Sequence, residues 1–380
     1  MSLRRVAAIL SVLAIALAAC QPSASGSPAE SAAGSAAAVD CTVGVSWNNY
    51  QQERWAKADE PAMQEVIEAA GAGYTRTDAQ DSEEQQIADV ESLINQEVDV
   101  IILLAKSTTS ILPAVQAAKD ADIPIIGYDR LIADDGVFYI TFDNAGVGRF
   151  MAEAMLEAVP TGNYVVIKGH PDDPNADFLR AGMDEGGLAD AVAAGDVEIV
   201  FEEYTDTWST ENAQANMETA LQENNNEVDA VLSENDSMAI GVVAALADQG
   251  LDGVVPVSGQ DGDAANLNNV ARGLQLVDVW KDAFGLGQTA GYVAVQLCQG
   301  VAFEDITAPD DLGDHVAPEA GTAAQPFDTE NEAGEAVTVQ SITLKPTPVT
   351  QENLNLPIDL GWIEKDVACD GAEADVAACQ

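Results

Sequence analysis

The stretch VDVIILLAKSTTSILPAVQAAKDADIPIIGYD, residues 98–129, has a near twin further along the chain in VDAVLSENDSMAIGVVAALADQGLDGVVPVSGQD, residues 228–261. Each opens on Val-Asp and runs through an apolar strand, a polar turn, an Ala-rich helix and a second apolar strand. Each then ends in Gly-x-Asp, at Asp129 and at Asp261. Unbroken apolar runs of this length read as strands buried on both faces, as in a parallel sheet covered by helices. A repeat this long does not suggest a solenoid; it predicts two similar lobes.

Outward from these two stretches the same rhythm continues. TVGVSW (42–47) reads as a strand, followed by a helix that Pro61 kinks or restarts, then GYTRTD and a helix opened by the capping-box spacing Ser82-x-x-Gln85. The alternation restarts at NYVVIKG (163–169) and runs through VEIVFEEY and a helix opened near Ser209. Strand alternating with helix predicts an α/β fold of two doubly wound, Rossmann-like parallel sheets. In such sheets ligands bind beyond the carboxyl ends of the strands. The two terminal acids therefore fall at the rim of a cleft between lobes.

Other strand ends should line the same cleft. They supply Trp47, Asn48 and Asn49, then Arg54 and Trp55, then Asp129 and Arg130. The second half supplies Asp173 to Asn175, Trp208, Asn235, Asp261 and Lys281. No nucleophile–base pair is among them. Sugar hydroxyls both donate and accept, so carboxylates, amides, Arg and Lys suit them, and the apolar face of a sugar ring packs on tryptophan.

Composition narrows the classes further. The 15 Lys and Arg stand against 64 Asp and Glu, a formal charge of −49, which repels nucleic acid and anionic membrane surfaces. Residues 1–5 are basic, and VAAILSVLAIALAAC is an apolar run too short to span a bilayer. The run ends in Leu17-Ala18-Ala19-Cys20, which resembles a bacterial lipobox. A signal peptide over 1–19, an acylated Cys20 and a Ser/Ala/Gly/Pro linker to residue 40 form a coherent exported layout, with an ordinary signal peptide as the alternative. Two histidines, His170 and His315, and the lack of a C-x-x-C give no basis for a metal or a cofactor. Cys41, Cys298, Cys369 and Cys379 suggest disulfides of open connectivity.

Taken in order, ERW (53–55), YDRLI (128–132), FYITFDNAGVG (138–148), NNNEVDAV (224–231), END (234–236), VSGQDGD (257–263) and Trp280-Lys281 resemble the periplasmic sugar-binding proteins of ABC importers, and most closely their D-xylose-binding branch. The likeness spans about 43–299, with a weaker continuation in ITLKPTPVTQENL (342–354). It implies two lobes joined by three hinge crossings and closing over one monosaccharide, a permease partner and a monomeric, non-enzymatic chain. Its sugar contacts carry over to Arg54, Asp129, Arg130, Asn175, Trp208, Asn235, Asp261 and Lys281. Trp47, Asn48, Asn49 and Phe178 are further candidates, and the Asn48-Asn49 pair replaces an acidic pair common in the family. With the lobes so placed, Cys41 falls near the end of the helix beginning around Lys281, which pairs it with Cys298 and leaves Cys369 to Cys379.

The expected lobes are 41–143 with 281–336 and 144–280 with 337–365, leaving 366–380 as a tail. The acidic stretch 302–336 is expected to be a solvated loop; Asp328-x-Glu330-x-Glu332 within it lacks the glycine step of a standard calcium loop. Three other classes compete. A sugar-responsive repressor would need a basic DNA-binding head. A glycosidase would need a proton donor, and an acid beside an arginine is a poor one. A sensor without transport differs only in its partner.

Overall fold

The computed structural model describes residues 40–309, 312–313, 315, 322–331, 333–372 and 376–380. The leader, Cys20, most of the linker and Glu332 lie outside the described residues.

The first sheet is built from β1 (Thr42–Trp47), β2 (Gly73–Asp78), β3 (Val100–Leu103), β4 (Ile125–Tyr128) and β5 (Val137–Phe142). Helices α1 (Glu60–Ala69), α2 (Glu83–Asn95) and α3 (Leu112–Asp120) connect them. The second lobe repeats the plan with β6 (Gly162–Lys168), β7 (Val197–Tyr204), β8 (Ala230–Ser233), β9 (Ser258–Asp261) and β10 (Val277–Trp280). Its helices are α4 (Asn144–Ala158), α5 (Pro174–Glu185), α6 (Leu188–Ala194), α7 (Thr210–Glu223), α8 (Asp236–Asp248) and α9 (Ala264–Ala271).

The spatial order is β2-β1-β3-β4-β5 in one lobe and β7-β6-β8 followed by β9-β10 in the other, joined by a Val231–Val257 bridge. All of these neighbours are parallel. The two lobes thus share one doubly wound order, as the paired stretches predict. Central strands such as β3 and β4 are buried at every position because apolar helix faces cover both sides of the sheet.

Three crossings join the lobes: after β5, between β10 and α10 (Ala283–Cys298), and between β12 (Ala336–Leu344) and β13 (Thr347–Val349). Strand β12 pairs parallel with β5, and β13 pairs antiparallel with β10. Residues 337–344, expected in the second lobe, therefore belong to the first sheet. The acidic stretch also differs from the expected loop: β11 (Gln325–Glu330) forms an antiparallel hairpin with β12 at the sheet edge. Its half-exposed alternation hid it, since an edge strand needs only one apolar face. The expected tail is docked. Asn268 Nδ2 donates to the carbonyls of Val367, Ala368 and Asp370, while Ala368 and Val376 are buried with Trp362 and Leu267.

Cys41, at the start of β1, is joined to Cys298, at the end of α10, with Cα atoms 5.9 Å apart. Cys369 is joined to Cys379. Helix α10 begins two residues later than Lys281, with Asp282 accepting from Gly285 N at its start. Lys281 therefore stays on the crossing, free of the helix terminus. Among the described residues no helix is long and apolar enough to cross a membrane.

Candidate functional site

The strand ends converge on one small interlobe cavity. It is lined by all eight residues carried over from the sequence, together with Gln52, Trp55, Asp173 and Gln260.

Arg54 is the first lobe's central group, and it is 1% exposed. Its Nε and Nη2 donate to the two carboxylate oxygens of Asp59 at 3.0 and 2.7 Å. Its Nη1 reaches Asp129 Oδ2 at 3.2 Å and, across the cleft, Asp261 Oδ1 at 3.4 Å. The guanidinium also lies 4.3 Å from the Trp55 ring centre, a cation–π contact. Burial opposes the arginine's charge, yet Asp59 and Asp129 outweigh it and hold the group well above its ordinary range. Burial pushes Asp59 up to about 6, against the pull of Arg54.

Asp129 follows β4 with φ 64°, and Asp261 ends β9 with φ 106°. Both lie in the left-handed region that a non-glycine residue seldom occupies, and such strain gathers where a site demands it. Thr141 Oγ1 donates to the Asp129 carbonyl at 2.8 Å, anchoring the turn. Arg130 ties into the first lobe through the Ala105 carbonyl at 2.9 Å and crosses to Asp173 Oδ2 at 2.7 Å.

In the second lobe two site residues double as helix caps, which fixes them at the strand-to-helix turns. Asp173 Oδ1 accepts from Asn175 N at the start of α5, and Asn235 Oδ1 accepts from Met238 N at the start of α8. Asn235 thereby keeps its amide donors for the cavity. Asn175 Nδ2 donates to the Asp129 carbonyl at 3.2 Å, and Asn175 Oδ1 accepts from Asn144 at 2.8 Å.

Trp208 is set by strain from below and a hydrogen bond at its edge. Thr207 and Trp208 both have left-handed backbones, with φ 57° and 55°. Its Nε1 donates to Asp173 Oδ2 at 3.2 Å, and the ring lies over Gly169, where any Cβ would fall 2.1 Å from it. Only glycine fits there. Two tryptophans, Trp55 and Trp208, thus line the cavity from opposite lobes.

The cavity's formal charges balance: Arg54, Arg130 and Lys281 against Asp129, Asp173 and Asp261. Burial lowers Lys281 and raises Asp261, the latter opposed by Lys281 and Arg54. Gln260 Oε1 is a buried acceptor that no protein group satisfies. The walls hold tryptophan faces, carboxylates, amides and cations, and this set suits a small polyhydroxylated ligand.

Four of the sequence candidates stand elsewhere. Trp47 is fully buried in the first core, against Trp55 and Tyr128 at ring-centre distances of 6.1 and 6.0 Å. It backs the site from behind because the strand's alternation turns it toward the α10 side. Asn48 Oδ1 accepts from Asn49 N and Asn49 Oδ1 from Gln51 N, closing the turn after β1, while Asn49 Nδ2 donates to Asp81 in the turn after β2. Phe178 packs on Phe327 of the hairpin at 5.9 Å, outside the cavity. Of the residues that sequence reasoning left off its contact set, Gln260 sits inside the quoted Gly-x-Asp motif. Its signal was a polar residue in a strand otherwise expected to be buried.

Comparison with known proteins agrees with this geometry. Residues 43–302 match the family described as periplasmic binding protein domain. The chain is 38% identical over 264 residues to a D-xylose-binding periplasmic protein of Escherichia coli, covering 69% of this chain and 79% of that one. A D-xylose-binding periplasmic protein of Haemophilus influenzae is 35% identical over the same share. Among solved structures, an ABC transporter solute-binding protein from Clostridium phytofermentans with bound β-D-glucose superposes with TM-score 0.72 at 26% identity, covering 86% of this chain and 99% of that one. This chain belongs to the periplasmic binding protein family, among its sugar-binding members and close to the D-xylose-binding branch.

Proposed function

We propose that this protein captures one monosaccharide, D-xylose first among them, between its lobes and delivers it to an ABC permease. The observation that carries the reading is the convergence on one small cavity of Arg54 and Asp129 from one lobe with Asn175, Trp208 and Asp261 from the other. A ligand bridging these groups gains most when the lobes are closed, so binding and hinge closure are one equilibrium. Arg54, Arg130, Lys281, Asn175 and Asn235 donate to sugar oxygens. Asp129 and Asp261 accept from hydroxyls, and Trp208 covers the apolar ring face. The chain works as a monomer and carries out no covalent chemistry. It is exported and held at the outer face of the membrane by acylated Cys20, which mass spectrometry of the mature N-terminus tests.

The solved relative with β-D-glucose supports a second reading, a hexose in the same cavity. Tryptophan fluorescence and thermal shift of residues 40–380 against D-xylose, L-arabinose, D-ribose, D-glucose and D-galactose separate the two. A saturable response to D-xylose supports the first reading, and a stronger response to a hexose supports the second. Silence across all five sugars sinks both.

A further inference from the structure

Arg54 can serve a ligand only if something keeps it from collapsing onto the carboxylates beside it. Asp59 is that restraint in the geometry. It takes the Nε and Nη2 edge at 3.0 and 2.7 Å, while the Nη1 contacts to Asp129 and Asp261 are longer, at 3.2 and 3.4 Å. A two-point pair fixes the guanidinium plane as well as its position. Asp59 is itself fully buried and accepts a hydrogen bond from the Tyr128 hydroxyl, one residue before Asp129. The restraint is thus tied to the same strand end that supplies the cavity's first acid.

The backbone is bent to allow this. Residues Trp55–Asp59 form one π-helical turn, closed by Glu60 N donating to the Trp55 carbonyl. In an α-helix, positions five apart point about 140° away from each other. The wider π turn brings position 59 back beneath position 54, and such turns recur at functional sites. The turn is wedged against α10, where a Cβ on Gly287 would meet the Asp59 carbonyl at 2.4 Å.

We infer that Asp59 is a positioning residue for sugar recognition: it holds Arg54 back from Asp129 and Asp261, so that their oxygens stay available to sugar hydroxyls. Asp59 lies outside the cavity wall and acts only through Arg54. The inference rests on the sugar-binding reading above for its effect on affinity, and on Arg54 geometry alone for its structural effect.

Titration calorimetry with D-xylose on wild type, Asp59→Asn, Arg54→Lys and the double variant tests the first. Asp59→Asn should weaken binding about tenfold or more, and the same change in the Arg54→Lys background should add less than about twofold. Equal losses in both backgrounds would mark a merely structural role and overturn the inference. Should Asp59→Asn fail to fold, Tyr128→Phe removes one hydroxyl from the same network and should show the same dependence on Arg54. A crystal structure of sugar-free Asp59→Asn supplies the second arm. Arg54 should be found paired two-point with Asp129 or Asp261; an unmoved Arg54 overturns the inference. If wild type ignores D-xylose, the ligand reading fails while the crystallographic arm still decides the positioning claim.

Discussion

Asp129 and Asp261 occupy equivalent places in the two lobes and share Arg54, but what stands behind each differs. Each ends a parallel strand, each has a left-handed backbone, and each reaches Arg54 Nη1. Asp129 is backed by donors: Arg54 at its side chain, and the Thr141 and Tyr139 hydroxyls at its carbonyl. Asp261 is backed by further acids. Asp236 and Asp278 both accept from Gly262 N, and Asp236 also accepts from Asp263 N. Burial raises Asp236, Asp263 and Asp278, the last to about 7; acidic neighbours raise the first two further, while Asp278 is lowered by its hydrogen bond with Asp236 and raised by Asp261. One topology therefore presents two acids to a ligand, both facing Arg54, one anchored further by hydroxyls at its carbonyl and one backed by a nest of carboxylates that must share protons.

The largest effect that separates the lobes should come from their tryptophans. Trp208→Ala removes a strained, aimed platform and should weaken sugar binding by about 2–4 kcal/mol, roughly 30- to 1,000-fold, in a calorimetric titration. Gly169→Ala should match it without touching Trp208 itself, because the new methyl displaces the ring. If Gly169→Ala binds as tightly as wild type, the description of the second-lobe wall is wrong.

The staples differ next. Cys41–Cys298 closes a span of 257 residues in the first lobe, while Cys369–Cys379 closes one of 10 beside the second. Loop-closure entropy makes the long link worth more, about 2–4 kcal/mol against a smaller share for the short one. Urea unfolding of Cys41→Ser/Cys298→Ser and Cys369→Ser/Cys379→Ser should rank them in that order. The reverse order would mean that docking of the C-terminal segment governs stability.

The smallest effect is a slope. Carboxyls raised in the folded state bind more protons there than in the unfolded chain, so their contribution is present at low pH and fades as pH rises through about 7. Melting temperature should thus fall between pH 5 and pH 8, measured in high salt to screen the surface charge. Asp278→Asn, which removes one partner of Asp236 and Asp261, should flatten that fall. Parallel curves for variant and wild type would remove the carboxylate nest from the comparison.

The sequence made the duplicated sheets legible because a strand buried on both faces must be apolar throughout, and residues 98–129 and 228–261 say so twice. Of the cavity residues, Asp129, Arg130, Asp261 and Lys281 were legible for a related reason, and Arg54, Asn175, Trp208 and Asn235 came with the family resemblance. Charges directly after such strands have nowhere to go but the rim. Asp59 was not legible, since an acid four residues after Trp55 reads as a solvated helix position until the π turn is seen. Nor was the β11–β12 hairpin, whose edge strand alternates too weakly and whose return to the first sheet is a long-range choice. Asn48 and Asn49 misled for want of direction: their side-chain oxygens serve the turn after β1 and Asn49 Nδ2 goes to Asp81, while Asn48 Nδ2 is buried without a protein partner.

The central claim is that one ligand is held by one acid from each lobe. Calorimetry of residues 40–380 with D-xylose, in wild type and in Asp129→Asn and Asp261→Asn, tests it most directly. The account predicts one site per chain in wild type and, in either variant, a loss of at least about a hundredfold. Full affinity retained in one variant would contradict it, because the ligand would then be held by a single lobe.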